Sequence, residues 1–132
     1  MIYLDSNIFI YPLLYDDSNS ERCRKILFDI ANGKIRAFTS VLTWDEIVYV
    51  LKKKKGHQIA NKEGDKFLKF PNLKFLESDF DVIILAQKFI EKYNIAPRDA
   101  IHAATSFLKV NSEVISLDSD FDLIREIKRF NP

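Results

Sequence analysis

Ile2-Tyr3-Leu4-Asp5-Ser6-Asn7-Ile8-Phe9 is the stretch on which the reading of the fold turns. Three strand-favouring residues stop at an acid, a hydroxyl and an amide, each able to cap the helical stretch that follows, and Pro12 limits or kinks that stretch. The same change from strand to helix recurs downstream. Ile35 to Thr39 reads as a second strand, followed by Thr43-Trp44-Asp45-Glu46, which has the spacing of a capping box opening a helix that runs to about Lys54 and stops at Gly56. Leu73 to Leu76 is a third strand, after which Asp79 caps a helix reaching about Tyr93. Glu113 to Ser116 is a fourth, followed by a short helix over about 121–127 and a last strand, Lys128 to Phe130.

Three further helices fill the intervals. Ser20 caps one over about 21–32 that Gly33 closes, a lysine-rich one covers about 57–69 before Pro71, and Pro97 suits the first turn of one over about 97–109. Trp44, Ile47, Val48 and Leu51 form the apolar stripe of the helix after strand two; Val82, Leu85, Ala86, Phe89 and Ile90 form that of the helix after strand three. Alternation of this kind predicts a three-layer α/β/α domain with a central, mainly parallel sheet of about four to five strands. No repeat, low-complexity tract or linker interrupts it, so residues 1–132 read as one domain.

Composition narrows the chemistry. The 132 residues are 47% hydrophobic and 30% charged, with three Gly, one Cys and two His. Gly33, Gly56 and Gly64 have neither the dinucleotide-binding nor the Walker A spacing. Cys23, His57 and His102 cannot assemble a Cys/His zinc site, and a lone thiol forms no internal disulfide. With no basic leader and no long apolar run, neither secretion nor membrane insertion is expected, and a cytoplasmic setting is. The net charge of +1 conceals a split: five Lys/Arg against seven acids in residues 1–51, eight against two in 52–74, and seven against ten in 75–132.

Ligands of open α/β sheets bind beyond the carboxyl ends of the strands, and the residues expected there are acidic: Asp5, Glu46, Asp99, and Asp118 with Asp120. Any one of them is explained by the helix macrodipole or by capping. Four on one rim are not, because gathered carboxylates repel one another unless a cation neutralises them. All-oxygen ligation selects Mg²⁺ or Mn²⁺ over Zn²⁺, and such ions act on phosphate esters, so phosphodiester hydrolysis is the expected reaction class.

Four blocks then resemble one family in order and spacing: Ile2 to Phe9, Thr39-Ser40-Val41-Leu42-Thr43-Trp44-Asp45-Glu46-Ile47, Pro97-Arg98-Asp99-Ala100-Ile101-His102-Ala103-Ala104, and Ser116-Leu117-Asp118-Ser119-Asp120-Phe121. The chain resembles the PIN-domain ribonucleases, and among them the small VapC-like toxins of toxin–antitoxin pairs, over essentially its whole length. The resemblance implies a metal-dependent endoribonuclease with Asp5, Glu46, Asp99 and Asp118 as its acidic quartet. Asp5 and Asp99 would be the main ligands of Mg²⁺ or Mn²⁺, Asp118 would complete the coordination, and Glu46 would position a water or the metal. Asn7 would orient Asp5 or the phosphate. The last block departs from the family's usual Thr-Asn-Asp: Ser116 keeps the hydroxyl while Leu117 loses the amide, which leaves the division of labour between Asp118 and Asp120 open. An RNA substrate, a small VapB-like antitoxin and a homodimer follow as implied partners.

Other residues carry rival readings. Lys52, Lys53, Lys54 and Lys55 end a helix, where cations complement its dipole, yet Lys62, Lys66 and Lys69 continue them as a stripe suited to an RNA backbone or an acidic partner. Arg98 would touch phosphate or balance the acids. His102 reads as a structural imidazole hydrogen-bonded near the site, with proton transfer the rival role. Tyr11, Leu13, Leu14 and Tyr15 suggest a partner or dimer surface, Cys23 reads as a structural thiol, and no exposed aromatic pair stands out for base stacking. Two alternatives to the toxin reading are a non-catalytic RNA-binding or scaffold protein and an RNA-processing nuclease outside toxin–antitoxin systems. An aspartyl-phosphate phosphatase is disfavoured, because Asp5-Ser6-Asn7 lacks Asp-x-Asp.

Overall fold

A computed structural model describes all 132 residues. Strands β1 (Ile2–Leu4), β2 (Ala37–Ser40), β3 (Leu73–Leu76), β4 (Glu113–Ile115) and β5 (Lys128–Phe130) form one sheet in the order β3-β2-β1-β4-β5. Every pairing is parallel. Six helices connect them: α1 (Asn7–Leu14), α2 (Ser18–Ala31), α3 (Leu42–Lys55), α4 (His57–Leu68), α5 (Phe80–Tyr93) and α6 (Pro97–Lys109). The sheet is therefore wholly parallel, with five strands, and it is covered on both faces as such sheets must be.

Alternation along the strands divides the core. Tyr3, Phe38 and Val114 face a cluster built from α5, α6 and the C-terminal segment, including Val82, Phe89, Ala103 and Phe121. Leu4, Ala37 and Leu73 face the other, which holds Ile8, Phe9, Cys23, Ile47, Leu51 and Phe67 from α1 to α4. Burial on both faces is why the central strands β1 and β2 carry no charged residue, while the edge strand β5 tolerates Lys128 and Arg129. Leu13 and Leu14 pack on the second cluster, Tyr11 Oη donates to Asp17 Oδ2 at 2.7 Å, and Tyr15 stays half exposed. Tyr11, Leu13 and Leu14 nonetheless stay partly exposed beside Tyr15. No helix is long and apolar enough to cross a membrane.

Several predicted boundaries move, each for a physical reason. The cap of α2 is Asp17: its carboxylate accepts from Ser20 N while Ser20 Oγ accepts from Asp17 N, so Ser20 is the reciprocal partner and the helix starts earlier. Ser6 makes no side-chain cap to α1, and Pro12 lies inside that helix without ending it. The expected capping box of α3 does not form. Thr43 Oγ1 is instead 2.7 Å from Thr39 Oγ1, and Glu46 is drawn into the acidic rim. Trp44, placed on the apolar stripe by its spacing, is 41% exposed, while Ile47 and Leu51 are buried. The segment after β4 is a 3₁₀ turn over Ser119–Leu123 rather than a helix over 121–127.

The strand order fixes where a site can form. From β1 the chain steps outward to β2 and β3 on one side, then crosses back to β4 and β5 on the other. Neighbours β1 and β4 thus flank the switch point, outside whose carboxyl ends a crevice opens. Asp5 follows β1 and Ser116 follows β4 directly, with Asp5 N donating to Ile115 O at 3.1 Å.

Candidate active site

Burial and hydrogen bonding build this rim from its floor upward. Asp5 is 3% exposed. Its Oδ1 accepts from Ser6 N at 2.7 Å, and its Oδ2 accepts from Ser116 Oγ at 2.6 Å. Ser116 Oγ in turn accepts from Asn7 Nδ2 at 3.0 Å and from Asp118 N at 2.9 Å. Asn7 acts on Asp5 through that hydroxyl, and its own Oδ1 accepts from Leu117 N at 3.3 Å. Leu117 packs its side chain on the core and supplies only a backbone amide to the site, so the missing amide side chain leaves Asn7 satisfied.

Glu46 is held from two sides. Ser6 Oγ donates to its Oε2 at 2.7 Å, and His102 Nε2 lies 2.6 Å from its Oε1. On the other side of the imidazole, Nδ1 is 2.7 Å from Tyr3 Oη. A carboxylate only accepts, so Nε2 carries the hydrogen toward Glu46, and the neutral ring's Nδ1 then accepts from the Tyr3 hydroxyl. Tyr3 and His102 are both essentially inaccessible. His102 is thus the structural imidazole that its position suggested; its partners, 99 and 56 residues away in sequence, lie beyond any local pattern.

Three carboxylates converge above this floor. Single oxygens of Asp99, Asp118 and Asp120 all lie within 4.8 Å of one another. Asp99 comes from the first turn of α6, where Pro97 sets the start. The other two come from the turn after β4, where Asp118 Oδ1 accepts from Asp120 N at 2.9 Å. Asp5 stands apart from this triplet, yet close enough to act on it electrostatically. Burial, followed by the charges of Asp5 and Asp118, pushes the Asp99 carboxyl up to about 7. Burial likewise raises Asp5, with His102 and Ser116 opposing. Burial also works against a charged Glu46, but the His102 hydrogen bond overrides it and holds that carboxyl below its ordinary value.

Such an arrangement is electrostatically incomplete. Four acids share one crevice and the imidazole nearest them is engaged by Glu46, so a hard cation on Asp99, Asp118 and Asp120 would relieve the repulsion that raises Asp99. The donor set, all oxygen with two acids partly buried and one exposed, suits an ion that retains water.

The predicted cations are less unified. Arg98, on α6 beside Asp99, is 3.6 Å from Asp45. Lys52, Lys53, Lys54 and Lys55 are exposed on the last turn of α3. Lys62 is exposed on α4, but Lys66 and Lys69 pair with Glu63 and Asp65, so the stripe is partly neutralised on its own helix. Cys23 is buried, and burial pushes its thiol up to about 11, as befits a structural residue.

A wholly parallel α/β/α sheet with acids converging at its switch point defines the class of molecule. The PIN domain family model matches residues 2–127, and the chain belongs to that family. Ribonuclease VapC6 of Methanocaldococcus jannaschii is 24% identical, covering 93% of this chain and 92% of its own length. Ribonuclease VapC2 of the same organism is 25% identical over 91% and 86% respectively. Among solved structures, Mycobacterium tuberculosis VapC20, a Sarcin-Ricin loop cleaving toxin, matches 100% of both chains with a TM-score of 0.80 at 16% identity. FitAcB from Neisseria gonorrhoeae matches 99% of this chain and 98% of its own with a TM-score of 0.74 at 22% identity.

Proposed function

We propose that this PIN-domain protein is a Mg²⁺- or Mn²⁺-dependent endoribonuclease and the toxin of a VapBC-like pair. The observation that carries the reading is the convergence of Asp99, Asp118 and Asp120 within 4.8 Å beside buried Asp5 at the sheet's switch point. Asp99, Asp118 and Asp120 would hold the ion, with Asp5 contributing charge from the floor. An ion held by these carboxylates would supply Lewis acidity toward a phosphate oxygen and a more acidic bound water. The chain's own residues do the rest. Glu46, kept ionised and fixed between Ser6 and His102, would orient a water and accept its proton. Ser116 and Asn7 hold Asp5 and the Asp118 turn in register.

The two Methanocaldococcus jannaschii relatives are ribonucleases by name, and a VapBC2 complex of Rickettsia felis bound to a promoter fragment is among the structural neighbours. An antitoxin partner and a homodimeric assembly belong to the same reading. The test is cleavage of a panel of structured and single-stranded RNAs with Mg²⁺, Mn²⁺ or EDTA, using wild type, Asp5→Asn and Asp99→Asn. Metal-dependent cutting lost in both variants is expected. Cutting that survives EDTA or both substitutions overturns the mechanism, and RNA binding indifferent to metal without turnover identifies a scaffold instead. Growth arrest on expression, relieved by a short protein encoded next to this one, tests the toxin role.

A further inference from the structure

Tyr49 is one of several exposed aromatic side chains that neither core uses, and among them it is the one that two cations approach beside the acidic crevice. It is 48% exposed, and it lies on α3 one turn beyond Asp45 and Glu46, at the i+4 spacing that shares a helix face with Asp45. Two cations from different elements converge on its ring. Lys53 Nζ sits 4.7 Å from the ring centroid and the Arg98 guanidinium carbon 5.5 Å from it. Arg98 is the residue before Asp99, and a small cavity lined by Leu42, Asp45, Glu46, Arg98 and Ile101 lies between α3 and the start of α6. An aromatic face, two cations and the acidic crevice therefore adjoin one another.

From this juxtaposition we infer that Tyr49, Arg98 and Lys53 form a nucleotide subsite: Tyr49 stacks a base of the RNA next to the scissile phosphate, and the two cations take the phosphates on either side. The inference rests on the proposed nuclease activity and adds where and how the substrate is gripped. A rim of carboxylates repels the nucleic-acid backbone, so a substrate needs positive groups close to the acids and a surface for its bases, and the crevice itself supplies neither. The Arg98–Asp45 ion pair does not lock the guanidinium away, because both side chains are more than half exposed and such pairs contribute little. Cation–π contact at an exposed site is likewise weaker than stacking of a base on an aromatic ring, so a bound nucleotide can displace one cation from the ring and leave it facing phosphate. An acidic peptide would use the two charges but not the ring face, which is why RNA is the favoured occupant.

The experiment measures binding of a short single-stranded RNA of mixed sequence to protein carrying Asp99→Asn, with Mg²⁺ present, and repeats it with RNAs bearing a single abasic position moved along the strand. Tyr49→Ala is expected to weaken binding by roughly five- to a hundredfold. Tyr49→Phe and Tyr49→Trp should retain affinity and Tyr49→Leu should not, which separates stacking from bulk. One abasic position should cost as much as Tyr49→Ala and cost nothing further in that variant. Lys53→Ala should lower the salt dependence of binding by about one phosphate contact. Equal affinity of the Tyr49 variants, or an abasic penalty that adds in full to Tyr49→Ala, overturns the subsite. So does a Tyr49→Ala effect seen only on the affinity of the antitoxin, which would make the ring a protein contact. If no variant binds RNA while each keeps its wild-type circular dichroism, the nuclease reading itself fails; if binding persists in Tyr49→Ala, and cutting persists when Tyr49→Ala is made in the chain that retains Asp99, only the subsite does.

Discussion

Ser116 Oγ touches three partners at once, donating to Asp5 and accepting from Asn7 and Asp118 N. One hydroxyl thereby ties the end of β1 to the turn after β4, and Ser116→Ala should cut RNA cleavage about 10- to 100-fold through loosened acids rather than lost ligands. Ser116→Thr keeps the hydroxyl and should retain most activity; equal rates for the Ala and wild-type proteins would show the hub to be unnecessary. His102 offers a second residue-level test. A glutamine there can place its amide nitrogen near the imidazole Nε2 and still donate to Glu46, whereas the shorter asparagine cannot reach. His102→Gln is therefore expected to keep kcat closer to wild type than His102→Asn, which should also lose about 1–3 kcal/mol of stability by leaving a buried carboxylate short of a donor. Denaturant unfolding and single-turnover cleavage read the two effects separately, and indistinguishable kcat values for the pair would deny Glu46 a role that depends on its orientation.

At the scale of elements, α3 and α4 approach so closely that a Cβ on Gly64 would lie 2.8 Å from Val48 Cγ2 and 3.2 Å from the Trp44 indole nitrogen. Alanine would gain about 1 kcal/mol in helix propensity. Overpacking against a rotamer-stiff valine costs about 1–3 kcal/mol, and the clash should win. Gly64→Ala is expected to lower Tm by about 4 °C, and Val48→Ala in the same chain should restore part of the loss. An increase in Tm for the single variant would mean that the helices part freely. The same elements show what the sequence discloses. Strands β3 and β5 and helices α5 and α6 were readable nearly to the residue because their signals are local: Asp79 caps, Pro97 opens, and period 3.6 marks the buried face. The caps of α1 and α3 depart from their local patterns because Ser6, Thr43 and Glu46 bond to partners 40, 4 and 56 residues away instead of to their own helix ends. The acids of the rim were legible by their places after strands. The Tyr3–His102–Glu46 chain and the ring of Tyr49 were not, since both depend on which elements the fold brings together.

Across the whole molecule these local pushes set how stability responds to pH and metal. Without a cation, Asp99 at about 7 holds a proton that the unfolded chain gives up near its ordinary value of 3.8, and Asp5 is shifted in the same direction. The native state thus binds more protons than the unfolded state between about pH 4 and 7, so these acids make stability fall as pH rises through that window. His102, raised by Glu46 and Asp5 in spite of its burial, acts with the same sign: its contribution is complete below the ordinary imidazole value and fades above it. Asp17, Asp79 and Asp122 have lowered values from hydrogen bonds to Ser20, Lys109 and Arg129, so the stability they lend is lost only toward more acid pH. The metal-free protein is therefore expected to be most stable near pH 4–5 and to weaken toward pH 8. A divalent ion competes with the proton on Asp99, so it binds poorly at pH 5 and well at pH 8, and it stabilises the native state by mass action. Thermal unfolding with EDTA and with millimolar Mn²⁺ at both values checks this. The gain in Tm from Mn²⁺ should be large at pH 8 and small at pH 5, and Asp99→Asn should flatten the EDTA curve while abolishing most of the gain. A gain equal at both pH values, or one that survives Asp99→Asn, would place the ion somewhere other than on the three converging carboxylates.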